Sequence, residues 1–166
     1  MLKDWASAED EFRRLAATYP NQPGVHYMCG MFQLKVHPEN AIAEFQNEIG
    51  LSPKEVDARV QIALLDLTTG DFDQGRKYAA EAVKLQPGNF AAHVIFSRLC
   101  LGAGDAKQAE AEAEIAVKLA PESPEAHQAL AQCFARLGRT HDAQTERAES
   151  ERLQAITARR DGAGAP

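Results

Sequence analysis

Hydrophobic residues recur along this chain at spacings of three and four, which is the pattern of one face of an α-helix. Residues 56–69 carry such a face, and Gly70 and Asp71 then interrupt it. Glycine favours the left-handed conformation that ends a helix, and aspartate favours the start of the next one. A second helix is predicted for residues 72–85, and Pro87 ends it because the residue before a proline avoids the helical conformation. The pattern therefore predicts two helices joined by a tight turn.

This two-helix unit repeats with a period of about 34 residues. Three sets of residues stay in phase along the chain: the prolines Pro20, Pro53, Pro87 and Pro121, the turn glycines Gly70, Gly104 and Gly138, and the small residues Cys29, Ala63, Ser97 and Ala131. Small side chains let two antiparallel helices pack closely. One helix pair cannot cover its own apolar faces, so neighbouring pairs must stack. The sequence predicts an all-α fold, a right-handed helical solenoid of antiparallel helix pairs.

The repeating unit resembles the tetratricopeptide repeat, a helix-turn-helix of the same length. The best match has Ser97 at the small position, Gly104 and Asp105 at the turn, and Pro121 at the end. The resemblance makes residues 1–159 a single domain, with a leading half repeat at 3–20 and full repeats at 22–55, 56–89, 90–123 and 124–155. The closing residues 160–166 are predicted to be a disordered tail, because they offer nothing to bury.

In tetratricopeptide-repeat proteins the first helix of each repeat lines a concave face, and the resemblance implies that a peptide or helix binds there. The residues predicted to bind the partner are His26, Gln33, Val60, Leu64, Leu67, Val94, Arg98, Leu101, Gln132 and Arg136. The middle of this face is apolar, with Arg98 and Arg136 at one end, so an amphipathic partner with acidic residues would fit it. The Lys and Asn side chains by which chaperone-binding members clamp a terminal carboxylate are absent from the matching positions. The alternative is that some of these leucines pack between helices and that the groove has no ligand.

The leading half repeat lacks a first helix, yet it keeps apolar residues at Trp5, Phe12 and Leu15. One interpretation is that this edge is merely exposed, or that its partner helix belongs to a longer regulatory, envelope or enzyme protein of which this chain is a fragment. The other is that the edge is an oligomer contact and the protein forms a homodimer.

Charge and composition narrow the function. The chain has 18 Lys and Arg residues against 24 Asp and Glu, a net charge of −6, which argues against binding to nucleic acid. No stretch is long and apolar enough to insert into a membrane, and the first residues do not resemble a signal peptide. Three widely spaced cysteines favour a reducing compartment, so a cytoplasmic location is expected.

Catalytic chemistry finds no support in the sequence. It contains no nucleophile elbow and no glycine-rich phosphate loop. The cysteines fall at packing positions and form no CxxC pair, so neither a metal site nor a cofactor is expected. The predicted function is a non-catalytic protein–protein interaction module, an adaptor or scaffold rather than an enzyme.

Overall fold

The computed structural model describes the backbone of residues 2–163 and the side chains of residues 5–160. Over this part of the chain it contains nine α-helices and no strand, which confirms the all-α prediction. In chain order the helices are α1 (Leu2–Thr18), α2 (Val25–Val36), α3 (Pro38–Leu51), α4 (Asp57–Thr69), α5 (Phe72–Leu85), α6 (Phe90–Gly102), α7 (Ala106–Leu119), α8 (Pro124–Arg136) and α9 (Thr140–Ala163).

The helices stack as antiparallel pairs, α2 with α3, α4 with α5, α6 with α7, and α8 with α9. Each second helix also packs on the first helix of the next pair, and α1 packs on α2 in the same way. First helices of neighbouring pairs touch directly, α4 with α6 and α6 with α8, whereas no comparable contact joins two second helices among the described residues. The stack therefore curves towards the first helices, and we call the side that α2, α4, α6 and α8 line the inner face.

The turns within the pairs use the predicted chemistry. Gly70, Gly104 and Gly138 have φ angles of 85°, 86° and 77°, in the left-handed region where a Cβ is disfavoured. The carboxylates of Asp71 and Asp105 then cap α5 and α7, because each accepts a hydrogen bond from a backbone N–H in the first turn. Local sequence alone fixes these turns.

The core is densest around α6, in which eight of the 13 residues are buried. Leu99 and Cys100 are fully buried there, among alanines from α5, α7 and α8. A smaller cluster around Phe45 and Ile62 joins α3 to α4. The buried apolar residues thus form two clusters, a large one centred on α6 and a smaller one between α3 and α4.

The turn between α2 and α3 is shorter than the turns of the other pairs. This shortening shifts the residues of α2 by one position relative to the equivalent residues of the other first helices. Only His37 separates α2 from α3, whereas Gly70 and Asp71 separate α4 from α5. As a result Gly30, rather than Cys29, lies opposite the fully buried Phe45, and a Cβ on Gly30 would come within 2.6 Å of the phenylalanine ring. A constant step of 34 residues therefore misaligns α2 by one position.

The last helix is longer than the repeat requires. Helix α9 continues to Ala163, four residues into the segment 160–166 that the sequence predicts to be disordered, while residues 164–166 lie outside the described part of the chain. No proline interrupts the helix between Thr140 and Ala163. Basic residues such as Arg160 in the last turn interact favourably with the helix dipole.

Candidate interaction surface

Three aliphatic residues of α4 form the middle of the inner face. Leu64 is 39% exposed, and Val60 and Leu67 are half-buried against the main core. These side chains therefore combine a packed base with an apolar surface that faces solvent. Such a surface is suited to contact with another apolar segment.

Helix α6 adds a cation next to this patch. The Arg98 side chain is 30% exposed and forms an ion pair with Glu125, with 3.2 Å between Nη2 and Oε1. Leu101 is half-buried one turn further on, whereas Val94 is only 1% exposed and packs inside the solenoid. Of the predicted α6 residues, Arg98 is therefore the one that presents a charged group to a partner.

The C-terminal end of the inner face is polar. Gln132 and Arg136 of α8 are both exposed. Gln132 lines a groove of about 330 Å³ between α8 and α9, together with Arg147 and Glu151. The inner face therefore changes from apolar at α4 to polar and basic at α8.

The register of α2 determines where its predicted residues lie. Tyr27, Met31 and Leu34 take the positions that Val60, Leu64 and Leu67 occupy in α4.

His26 and Gln33 lie elsewhere on α2. The His26 side chain is only 12% exposed and lies between helices. Gln33 is half-buried, and its Oε1 has no hydrogen-bond partner among the described residues. Met31, which the sequence analysis missed, could have been found by allowing for the short turn.

A second feature of the first helices is a His or Arg residue six positions after each proline that ends a repeat. We call these residues the clamp column: His26, Arg59, His93 and His127. In His93, Nδ1 lies 2.7 Å from Glu112 Oε2 and Nε2 lies 2.9 Å from the Pro87 carbonyl oxygen. Each member thus ties a first helix to the preceding loop and to a carboxylate on a second helix.

The same contacts recur at the ends of the solenoid. His26 Nδ1 is 2.6 Å from Glu44, and His127 Nδ1 is 2.6 Å from Glu146. The histidine and glutamate are 18 residues apart in the first pair and 19 apart in the last, which is the one-residue shortening described above. Burial opposes protonation of His26 and His127, but the hydrogen bonds to carboxylate and carbonyl outweigh it, so the pKa of each imidazole is raised.

The N-terminal edge carries an apolar depression of about 390 Å³ between α1 and α2. We call it the edge groove, and it is lined by Trp5, Phe12, Tyr27, Met28, Met31, Phe32 and Lys35. The Phe12 and Phe32 rings stack with 4.6 Å between their centroids, and Trp5 lies 6.1 Å from Phe32. Leu15, the third apolar residue predicted at this edge, is half-buried and does not line the groove.

The cysteines have the properties of packing residues. Cys29, Cys100 and Cys133 are all buried free thiols. Burial raises the pKa of Cys29 and of Cys100 to about 11, so neither supplies a thiolate nucleophile at neutral pH. Within the described residues, no three His, Cys, Asp or Glu side chains are grouped so that they could hold a metal ion. In the same part of the chain, no helix is both long and apolar enough to cross a membrane.

A comparison with known protein families identifies the repeat in the middle of the chain. The family model of the tetratricopeptide repeat matches residues 67–133, from the last turns of α4 into α8. No curated protein matches the chain significantly.

Solved structures extend the fold comparison to almost the whole chain. A crystal structure of MamA is similar with a TM-score of 0.85 and 14% sequence identity, over 95% of this chain and 92% of that chain. MamA from Desulfovibrio magneticus RS-1, from residue 41 to the end, gives a TM-score of 0.84 at 18% identity, over 92% of this chain and 86% of that chain. At identities this low, the similarity shows that the fold is shared and nothing more.

The chain is an α-helical repeat solenoid. This class is defined by its antiparallel helix pairs, its glycine turns and its inner face of first helices. Over residues 67–133 these repeats match the tetratricopeptide repeat, in agreement with the resemblance described in the sequence analysis.

Proposed function

We propose that the protein is a non-catalytic adaptor that binds a peptide or helix of another protein on its inner face. The observation that carries this proposal is the apolar patch of α4, where Leu64 remains 39% exposed beside Arg98. A tetratricopeptide-repeat fold supports a role in protein interaction, and the buried thiols give no support to covalent catalysis.

The chemistry of the inner face defines the ligand. An apolar side chain of the partner packs on Leu64, and an acidic side chain approaches Arg98. Glu125 already forms an ion pair with Arg98, so a partner carboxylate must displace Glu125 or share the guanidinium with it. The partner segment is therefore amphipathic, with an acidic residue on one side of its apolar contact. Its affinity is modest, because ordering a free peptide opposes binding.

Selection of displayed random peptides on the immobilised protein tests this proposal. Wild type is expected to enrich sequences that combine apolar and acidic residues, and Leu64→Glu is expected to weaken their binding about tenfold or more. Leu85→Glu is the matched control, since Leu85 is 41% exposed but lies on α5, a second helix. Both variants must keep the wild-type far-ultraviolet circular dichroism.

The Glu125 ion pair provides a second arm of the experiment. Glu125→Gln frees Arg98 and should tighten binding of the selected acidic peptides, whereas Arg98→Glu should weaken it. Selected peptides that bind wild type, Leu64→Glu and Arg98→Glu equally would place the ligand elsewhere. Failure to enrich any peptide would remove the proposed function.

A further inference from the structure

The edge groove has the position that a first helix fills in the interior of the solenoid. There, α4 packs against both α5 and α6, and Ile95 of α6 is 7% exposed in the same core cluster as Ala63 of α4. In α2 the position of Ile95 is taken by Met28, and this methionine is 47% exposed. The repeat geometry therefore indicates what kind of element fits this surface, namely a helix that contacts α1 and α2 together.

We propose that the edge groove binds an amphipathic α-helix of a partner protein, which completes the leading half repeat. The helix lies parallel to α2, as α4 lies parallel to α6, and it places aliphatic side chains on Trp5, Phe12 and Met28. The site is separate from the apolar patch of α4, so it does not rest on the function proposed for the inner face.

Lys35 gives the site its charge preference. It lies in the last turn of α2, is exposed, and lines the groove. The equivalent position in α6 is Gly102, which packs closely against Phe72 at the start of a second helix. Because a docked helix runs parallel to α2, its C-terminal end comes closest to Lys35. The carbonyl groups of that end carry partial negative charge, and an acidic residue there adds to the attraction.

A second copy of this chain is a poorer occupant. Pairing two edge grooves face to face would bring the two Lys35 side chains to the same interface. The helical stretch that extends beyond the repeats, residues 156–160 of α9, carries Arg159 and Arg160, which also repel Lys35. A partner with an acidic helix meets no such repulsion.

Trp5 makes the site directly measurable. It is the single tryptophan of the chain, lines the groove and is 45% exposed, so a helix that covers it should shift its fluorescence to shorter wavelength. The probe is a synthetic peptide with the sequence of residues 57–69, which contains no tryptophan and fills the equivalent position in the interior. A lactam bridge on its outward side keeps it helical, and its last residue is made either Glu or Lys.

The expected results form a charge-swap cycle. The peptide that ends in Glu should bind wild type about three- to tenfold tighter than the peptide that ends in Lys, and Lys35→Glu should reverse this order. Met28→Glu should abolish the Trp5 shift with both peptides. Leu64→Glu is the control that should leave the shift intact, which separates this site from the inner-face patch.

Three results would overturn the proposal. One is a Trp5 emission that neither peptide changes. A second is binding that is the same in wild type and in Met28→Glu. The third is a blue shift that grows with protein concentration in the absence of peptide, together with a doubled mass by light scattering, since a second copy would then occupy the groove.

Discussion

At the scale of single residues, each imidazole of the clamp column has a hydrogen-bonding partner at both ring nitrogens. In His127 the partners are Glu146 through Nδ1 and the Pro121 carbonyl oxygen through Nε2. Both ring nitrogens carry hydrogen only in the imidazolium form, so both bonds are made together only when the ring is protonated. Glu149 of α9 also raises the pKa of His127. Protonated His127 is therefore a charged crosslink between a loop and two helices.

We expect the stability of the protein to depend on pH through this crosslink. A raised pKa in the folded state means that the contribution is complete below the unfolded value of 6.5 and is lost as pH rises through the folded value. Asp66, whose pKa burial raises to about 6, also favours the folded state at low pH, but its contribution is lost at lower pH, between 3.8 and about 6. The free energy of unfolding should thus fall further above pH 6.5.

His127→Arg tests this expectation, because Arg59 shows that a permanent cation fits the column and bonds a carboxylate and a carbonyl there. Urea unfolding from about pH 6 to about pH 9 should show a smaller loss of stability in the variant than in wild type. His141→Arg is the control, since the His141 side chain is 93% exposed. An identical pH dependence in wild type and His127→Arg would contradict the role assigned to the clamp.

At the scale of the helix pair, the shortened turn of the first repeat decides which residue meets its neighbour. Gly30→Ala should destabilise the protein by about 1–3 kcal/mol, because the new Cβ would come within 2.6 Å of the buried Phe45 ring. Equilibrium denaturation measures the loss. Cys29→Ala is the neighbouring control, and it should leave the contact with Phe45 unchanged. A Gly30→Ala protein as stable as wild type would mean that the phenylalanine repacks freely.

The difference between the glycine turns and the short turn at His37 shows what a sequence can predict for this fold. The glycine turns at Gly70, Gly104 and Gly138 could be predicted because a left-handed residue is a local requirement. The register of α2 could not be predicted from a constant period, since it depends on one residue missing from the turn around His37. A short turn is visible in sequence, but its effect on packing emerges only when the helices meet.

The candidate site was harder to predict than the fold for a related reason. Val60 and Val94 occupy the same position on first helices one period apart, yet Val60 is half-buried and Val94 is 1% exposed. Their difference comes from the helices on either side, which a single repeat does not encode. The edge groove likewise depends on how side chains of α1 and α2 meet, among them Trp5, Phe12 and Met28.

At the scale of the whole molecule, a solenoid is held together by contacts between neighbours, and stability need not be uniform along it. Helix α6 lies at its centre, contacts α4, α5, α7 and α8, and has eight of 13 residues buried. Helix α1 has one packing neighbour, α2, among the described helices. A change at the centre should therefore spread along the solenoid, and a change at an end should remain local.

Two leucine truncations compare the centre with an end. Leu99→Ala removes a fully buried side chain of α6 and should cost about 2–5 kcal/mol, with faster amide hydrogen exchange from α4 through α8. Leu153→Ala, in a residue that is 6% exposed on α9, should accelerate exchange in α8 and α9 and leave α4 as in wild type. This difference follows because α4 contacts α6 directly but reaches α9 only through other helices. Equal acceleration along the whole chain in both variants would instead mean that the solenoid unfolds as one cooperative unit.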